Sequence, residues 1–302
     1  MTPKVASRLR GSVQRKQSRF GISLVIPALL LFTLVIFYPF VRAIASAFYE
    51  DTLFLPQPMF TGLGNFRDIL QSPQLINTWL RTLIFVVGST ALTLFLGLVW
   101  AVILNQPWRG NAVLRSLSLL PWILPSTVVA FLWAWLFNAQ YGVINALLLR
   151  LNLIQAPVAW LSNSSGAMAA VIIAKTWATI PFFMAFFLAA LQTVPKAQTE
   201  AARVDGATDL TVLRFVVLPH LRYTTVILAV LGAVNSLQHF DIIYAMTEGG
   251  PVRATTVLSL EVFKQAFQNW NMGLASAIGV VWLVTIAVPA FFYMRTIFQP
   301  HS

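Results

Sequence analysis

Apolar and polar positions fall in long blocks along this chain, not at the period of a half-buried helix or strand. The apolar stretches are Phe20–Val41, Thr82–Trp108, the opening of Ser116–Arg150 near Leu117–Phe137, Gly166–Gln192, about Tyr223–Ala245, and a run within Gln265–Met294. Lys175 is the one charge in the fourth and Asp241 the one charge in the fifth. A spanning helix needs about 20 mostly apolar residues. Backbone groups in lipid must be satisfied within the segment, so runs without polar/apolar alternation predict helices and not barrel strands. The pattern therefore predicts an all-α integral membrane protein with six transmembrane helices, near 20–48, 80–106, 114–138, 166–194, 223–246 and 268–296. Residues 1–19 form a basic tail, 20–298 one membrane domain with a long loop at 195–222, and 299–302 a short C-terminal tail.

Composition agrees. Of 302 residues 58% are apolar and 10% charged, against roughly a quarter charged in an average soluble domain. Mean hydropathy is +0.76. The length leaves no room for a soluble catalytic domain of ordinary size. The net charge of +11 would suit a nucleic-acid partner, but its location does not. Lys4, Arg8, Arg10, Arg15, Lys16 and Arg19 cluster just before the first apolar run, as in a cytoplasmic flank against anionic lipid. With the N-terminus inside, Arg109, Arg115, Lys196, Arg203, Arg214, Arg222 and Arg295 join that tail on the inner side. Only Arg67, Arg81, Arg150, Arg253 and Lys264 fall outside. This bias puts both termini in the cytoplasm, with Ser7 inside and Ser72 and Ser259 in outer loops. Ala45-Ser46-Ala47 after a basic, apolar start resembles a signal-peptide cleavage site, but a signal core is about 7–15 residues and this run is longer. An uncleaved first span is the expectation. There are no cysteines, and the three histidines (His220, His239, His301) are scattered, so no metal-ligand set is expected.

The outer loops carry turn formers: Pro56, Pro58, Gly62, Gly64 and Pro73 in the first, and Gly249-Gly250-Pro251 in the third. The second is expected to hold a short helix near Val143–Leu151. The longest inner loop, Val194–Pro219, reads as two short helices about a turn. Pro195 can open the first. Gly206 suits a turn at positive φ. Thr208 or Asp209 can cap the second. Leu210, Leu213 and Val217 share one apolar face, and Pro219 should break the helix before the next span. On these grounds alone the loop is equally a docking knob and an amphipathic segment on the membrane surface.

Glu200-Ala201-Ala202, Asp205-Gly206-Ala207 and Leu218-Pro219 closely resemble the EAA loop of bacterial ABC importer permeases. Gly62-Leu63-Gly64-Asn65-Phe66, Leu120-Pro121, Gly142-Val143-Ile144-Asn145, Phe240-Asp241-Ile242-Ile243-Tyr244 and Thr247-Glu248-Gly249-Gly250-Pro251 extend the resemblance over nearly the whole chain. They narrow it to the carbohydrate-uptake subfamily, in the subunit type of the maltose and glycerol-3-phosphate permeases. Tyr223 stands where such permeases often have a proline. The resemblance implies the type I, MetI-like permease fold. It implies half of a translocation pathway for a sugar or sugar-like solute, in the plasma (inner) membrane of a bacterium. The implied partners are a second permease subunit, two ABC ATPase subunits holding ATP and Mg, and an extracytoplasmic solute-binding protein; no cofactor is bound by this chain. Glu200 would pair with a basic group of the ATPase, Gly206 would make the turn, and Ala201, Ala202 and Ala207 would keep the knob small. Leu210 and Leu213 would fill an apolar cleft, beside Asp205 and Pro219 of the same motif.

Polar groups inside a span tend to face a cavity. Asn235, Gln238 and, less closely, Asp241 share a helix face. Their amides suit sugar hydroxyls, and Trp177 or Phe240 could stack on a sugar ring. The competing account is hydrogen bonding within the bundle, at about 0.6–2 kcal/mol each. Asp241 serves equally as a cap, and Lys175 is expected to snorkel outward or meet a backbone carbonyl. Glycerol 3-phosphate or another small polar solute is the alternative cargo. An ion-coupled secondary transporter would call for paired mid-membrane acids and inverted repeats, and only Asp241 is available. No Gly-x-x-x-x-Gly-Lys-Ser/Thr loop occurs, so ATP hydrolysis must reside in a partner.

Overall fold

The computed structural model describes residues 25–107 and 109–297, with side chains through 291. The basic tail 1–19, the first residues of the first span and the tail 299–302 lie outside the described residues. Among the described residues four helices are each long and apolar enough to cross a membrane: α1 (Val25–Ser46), α3 (Pro73–Leu104), α7 (Ser164–Leu191) and α13, whose apolar part is Met272–Phe291. Two bent helix pairs, Asn111–Ile123 with Ser126–Leu136 and Asp209–His220 with Arg222–Leu237, bring the total to six when each pair is counted as one crossing.

The bends have local causes. α4 (Asn111–Ile123) and α5 (Ser126–Leu136) meet at 97°. Pro125 lacks an N–H and drives Leu124 out of the helical region, to ψ 137°. At about 1.5 Å per residue the eleven residues of α5 cannot span a bilayer core alone. The fifth crossing starts with α10 (Arg222–Leu237), unwinds over Gln238–Phe240, and resumes as α11 (Asp241–Thr247). Between them Phe240 takes φ −129°.

The core forms where α3 lies along α7. Ser89, Thr93, Gly97 and Ala101 repeat at four-residue spacing and are all buried. Small side chains at that spacing let helix backbones approach closely in lipid. Phe183, Met184 and Phe187 of α7 are buried in the same cluster as Ala101 and Leu104. Three hydroxyls of α3 bond the preceding turn. Ser89 donates to Phe85 O at 2.6 Å, Thr93 to Ser89 O at 2.7 Å, and Thr82 to Thr78 O at 2.8 Å. Across the bundle Ser89 Oγ reaches Ser236 Oγ of α10 at 3.1 Å.

The ends of the bundle are pinned by side chains that meet free backbone groups. At the C-terminus of α3, Arg115 Nη2 and Asn111 Nδ2 each donate to Leu104 O at 2.6 Å. At the opposite end a ribbon of Tyr49–Glu50 with Met59–Phe60 leads into α2 (Gly64–Gln71). Buried Asn65 of α2 donates to Ala47 O and Tyr49 O at 3.0 and 2.8 Å. Asn145 of α6 (Val143–Arg150) ties its own loop the same way, donating to Val158 O at 2.9 Å and accepting from Trp160 Nε1 at 2.9 Å.

The Thr247–Asn271 loop folds inward. Glu248, Gly249, Val252 and Arg253 all take positive φ. The chain then enters α12 (Leu258–Phe263). Glu261 of α12 is fully buried and paired with Arg253. Gln265 Nε2 donates to its other oxygen at 2.8 Å. With its amide oriented to accept, Gln74 Oε1 takes three further bonds from Arg253, the shortest 2.9 Å. Ser259, expected in an open outer loop, is buried instead, because its hydroxyl donates to His239 O at 2.8 Å. Removing one partner of a buried ion pair costs about 3–5 kcal/mol. Arg253→Met should therefore lower the thermal stability of the purified protein by about that amount. Arg253→Met with Glu261→Leu should recover much of the loss, and equal destabilisation of single and double variants would show that the pair is not the cause.

Candidate functional site: a polar cavity and an exposed two-helix loop

A cavity of about 480 Å³ opens between the α4–α5 bend, α7 and α10. Its polar lining is Ser126, Lys175, Thr179, Asn235, Gln238 and His239. Phe182 and Phe183 supply part of the apolar wall. Each polar group arrives for a structural reason. The bend at Pro125 places Ser126 at a helix start, Lys175 and Thr179 are one turn apart on α7, and the unwinding after Leu237 brings Gln238 and His239 to the wall.

Lys175 is only 4% exposed. Its Nζ donates to Asn235 Oδ1 at 2.6 Å and to Thr179 Oγ1 at 2.8 Å. Thr179 in turn donates to Lys175 O at 2.8 Å. The expected snorkelling, or a bond to a backbone carbonyl, is thus replaced by a bond between α7 and α10. An amide sixty residues away offers a better acceptor than carbonyls already used by the helix. His239 lies nearly parallel to Phe85, with centroids 6.4 Å apart, and its Nε2 is buried with no hydrogen-bond partner among the described residues.

Asn235 and Gln238 sit on the cavity wall, while the other three residues considered for the pathway do not. Trp177 packs edge-on against Trp133 at 5.9 Å. Phe240 stacks on Tyr244 at 5.2 Å and meets Phe263 at 5.1 Å. Both rings pack against aromatic neighbours, and neither borders the cavity. Asp241 opens α11, exposed in its first turn, where a negative charge suits the helix dipole.

The second feature is the loop between α7 and α10. It consists of α8 (Lys196–Val204) and α9 (Asp209–His220). Pro195 precedes α8, and Thr208 caps α9 by accepting from Thr211 N at 3.3 Å. Gly206 has φ +86°. Its N–H bonds Arg203 O at 3.0 Å, and Ala207 N–H bonds Ala202 O at 2.9 Å, the paired bonds of a Schellman ending with Gly206 in the left-handed position. Arg203 pairs with Asp209 across the turn at 3.1 Å. A Cβ at Gly206 would meet nothing within 4 Å, so this glycine is there for backbone geometry alone.

Glu200, Ala201 and Asp205 face outward, and Ala202 and Ala207 are half-buried at the turn. Leu210 is 74% exposed and Leu213 half-buried, while neighbouring Val212 is the buried anchor. Val204, at 88% exposure, and Phe215 add open apolar surface that the motif did not single out. Pro219 does not end the helix. A π-turn at Leu213–Val217 precedes it, with Leu218 N–H bonded to Leu213 O, and the chain bends by 67° only after His220. A proline in the first turn of the segment Leu218–His220 has no donor to lose.

The family model for "Binding-protein-dependent transport system inner membrane component" matches residues 93–300. The trehalose/maltose transport system permease protein MalF of Thermococcus litoralis is 31% identical, over 96% of this chain and 97% of that protein. The sn-glycerol-3-phosphate transport system permease protein UgpA of Agrobacterium fabrum is 32% identical, over 89% and 91%. A permease chain in the crystal structure of a bacterial ABC transporter that imports the acidic polysaccharide alginate superposes with a TM-score of 0.77 at 22% identity, covering 95% of this chain and 99% of that one. The six-crossing fold and the Glu200–Pro219 loop sit in a chain matched along nearly its whole length, and the chain belongs to the binding-protein-dependent transport system inner membrane components, the permeases of ABC importers.

Proposed function

We propose that this chain forms half of the translocation pathway for a sugar or sugar-like solute, in complex with a second permease subunit, two ABC ATPases and an extracytoplasmic binding protein. The observation that carries this reading is the exposed α8–α9 pair, closed by Gly206 at positive φ and presenting Glu200, Val204 and Leu210 away from the bundle. Val212 packs inward while Leu210 and Val204 are left uncovered by the chain itself, which leaves apolar surface for a protein cleft to cover.

In this reading ATP and Mg are bound by the ATPases. Closure of the ATPase pair moves α8 and α9, and α7 and α10, which flank the loop and also wall the cavity, carry that movement inward. Glu200 offers a carboxylate to a basic group of the ATPase. Asn235 and Gln238 line the solute route. The relatives' names include a neutral disaccharide pair and a phosphorylated glycerol, which fits a polar cavity of this size.

Both termini then face the cytoplasm of a bacterial inner membrane. Val252 is 91% exposed at one end of the bundle and Val204 lies at the other. In this cysteine-free chain, Val252→Cys should react with an impermeant thiol reagent in intact cells and Val204→Cys only after permeabilisation. Labelling of position 204 from outside would reverse the orientation. Separately, Glu200→Lys should reach the membrane in normal amount, yet co-purify with less than about a tenth of the usual ATPase; undiminished co-purification would remove Glu200 from the interface.

A further inference from the structure

We infer that the cavity between the α4–α5 bend, α7 and α10 is a subsite for an anionic oxygen group (carboxylate, phosphate or sulfonate) on the transported sugar or polyol, with Lys175 as its charge partner. The inference rests on the reading of this cavity as part of the solute route, and it names the substrate class.

Three observations support it. First, the lining is rich in donors and contains no Asp or Glu. Among the described residues Lys175 has no acidic partner, since the ion pairs are Arg203–Asp209 and Arg253–Glu261. A cation inside a span without a counter-ion is costly and marks a route or a ligand. Second, an ammonium has three donors. Asn235 and Thr179 take two, at 2.6 and 2.8 Å, which leaves one for a group in the cavity. Third, Asn235 spends its carbonyl on Lys175 and so presents its amide N–H groups, and the amide of Gln238 stands on the same wall. A neutral sugar would ask for an even mixture of donors and acceptors. A charge with neighbouring donors suits an acidic group.

The test uses proteoliposomes holding the complete importer with its binding protein and internal ATP. Labelled solutes are offered in acid and neutral pairs: glucuronate and glucose, galacturonate and galactose, glycerol 3-phosphate and glycerol. The expected result is that an acid member is carried at least tenfold faster than its neutral counterpart. Lys175→Met should cut that uptake at least tenfold, with binding-protein-stimulated ATP hydrolysis within twofold of normal, and Lys175→Arg should keep part of it. Asn235→Ala, which removes the α7–α10 bond but keeps the charge, separates bundle stability from charge recognition and should lose less than Lys175→Met. Uptake confined to neutral members, or acid uptake in Lys175→Met within twofold of normal, overturns the inference and leaves the importer reading intact. Equal losses in Lys175→Met and Asn235→Ala would make Lys175 a tie between helices only, which also overturns it. Acid uptake that needs no ATP contradicts the importer reading itself.

Discussion

Gly206→Val should abolish ATP-driven uptake while leaving insertion and the membrane bundle intact. Gly206 sits at φ +86° with open space where a Cβ would be, so the substitution acts through the backbone alone. Holding a β-branched residue in the left-handed region costs about 1–3 kcal/mol. The two Schellman bonds, Gly206 N–H to Arg203 O and Ala207 N–H to Ala202 O, are lost if the turn relaxes. The angle between α8 and α9 then changes, and Glu200, Val204 and Leu210 no longer face one cleft together. Uptake in reconstituted vesicles should fall below about a tenth of normal. Gly206→Asn, which tolerates this region better, should keep a substantial part. Normal uptake in the valine variant, with full ATPase association, would mean that this loop does not couple the two components.

Gly97→Val should sharply lower the amount of folded bundle that accumulates. A Cβ at Gly97 would lie 2.8 Å from Phe183 Cβ and 3.3 Å from Met184 N. Those atoms belong to, or attach directly to, the α7 backbone, so the clash is relieved only by pushing α3 and α7 apart along the Ser89–Thr93–Gly97–Ala101 stripe. Overpacking a tight core typically costs about 1–3 kcal/mol, and sometimes more. Gly232 is the informative comparison. A Cβ there would meet Phe183 Cζ at 2.8 Å and Thr90 Cγ2 at 2.9 Å, both side-chain atoms that are neither part of a backbone nor bonded to one. Gly97→Ala should therefore lower the thermal stability of the detergent-solubilised protein more than Gly232→Ala does. The reverse order would place the tightest helix contact elsewhere.

Much of the fold was legible because lipid demands it. Every crossing needs a long apolar run, and a run with one Lys or one Asp stands out. The α8–α9 turn was legible for a different reason: glycine suits its φ best, and Thr208 and Pro195 mark the helix starts. What was not legible came from contacts between distant segments. The fifth crossing unwinds at Gln238–Phe240 with no Pro or Gly to signal it. Lys175 was visible as a lone charge, but its partner Asn235 is chosen by the packing of α7 on α10. The aromatic contacts of Trp177 with Trp133 and of Phe240 with Phe263 were likewise set by packing between distant segments. Arg253 looked like one more loop cation, and only the fold brings it to the buried Glu261.

The central claim is that this chain conducts solute when separate ATPases at the α8–α9 end work with a binding protein at the other end. The most direct measurement is uptake of the cognate solute into vesicles reconstituted with the complete importer, with ATP enclosed inside and the binding protein added outside. Uptake should require both, should stop when a non-hydrolysable ATP analogue replaces ATP, and should be indifferent to collapse of proton and sodium gradients. Uptake that proceeds without ATP, driven by either gradient, would contradict the account.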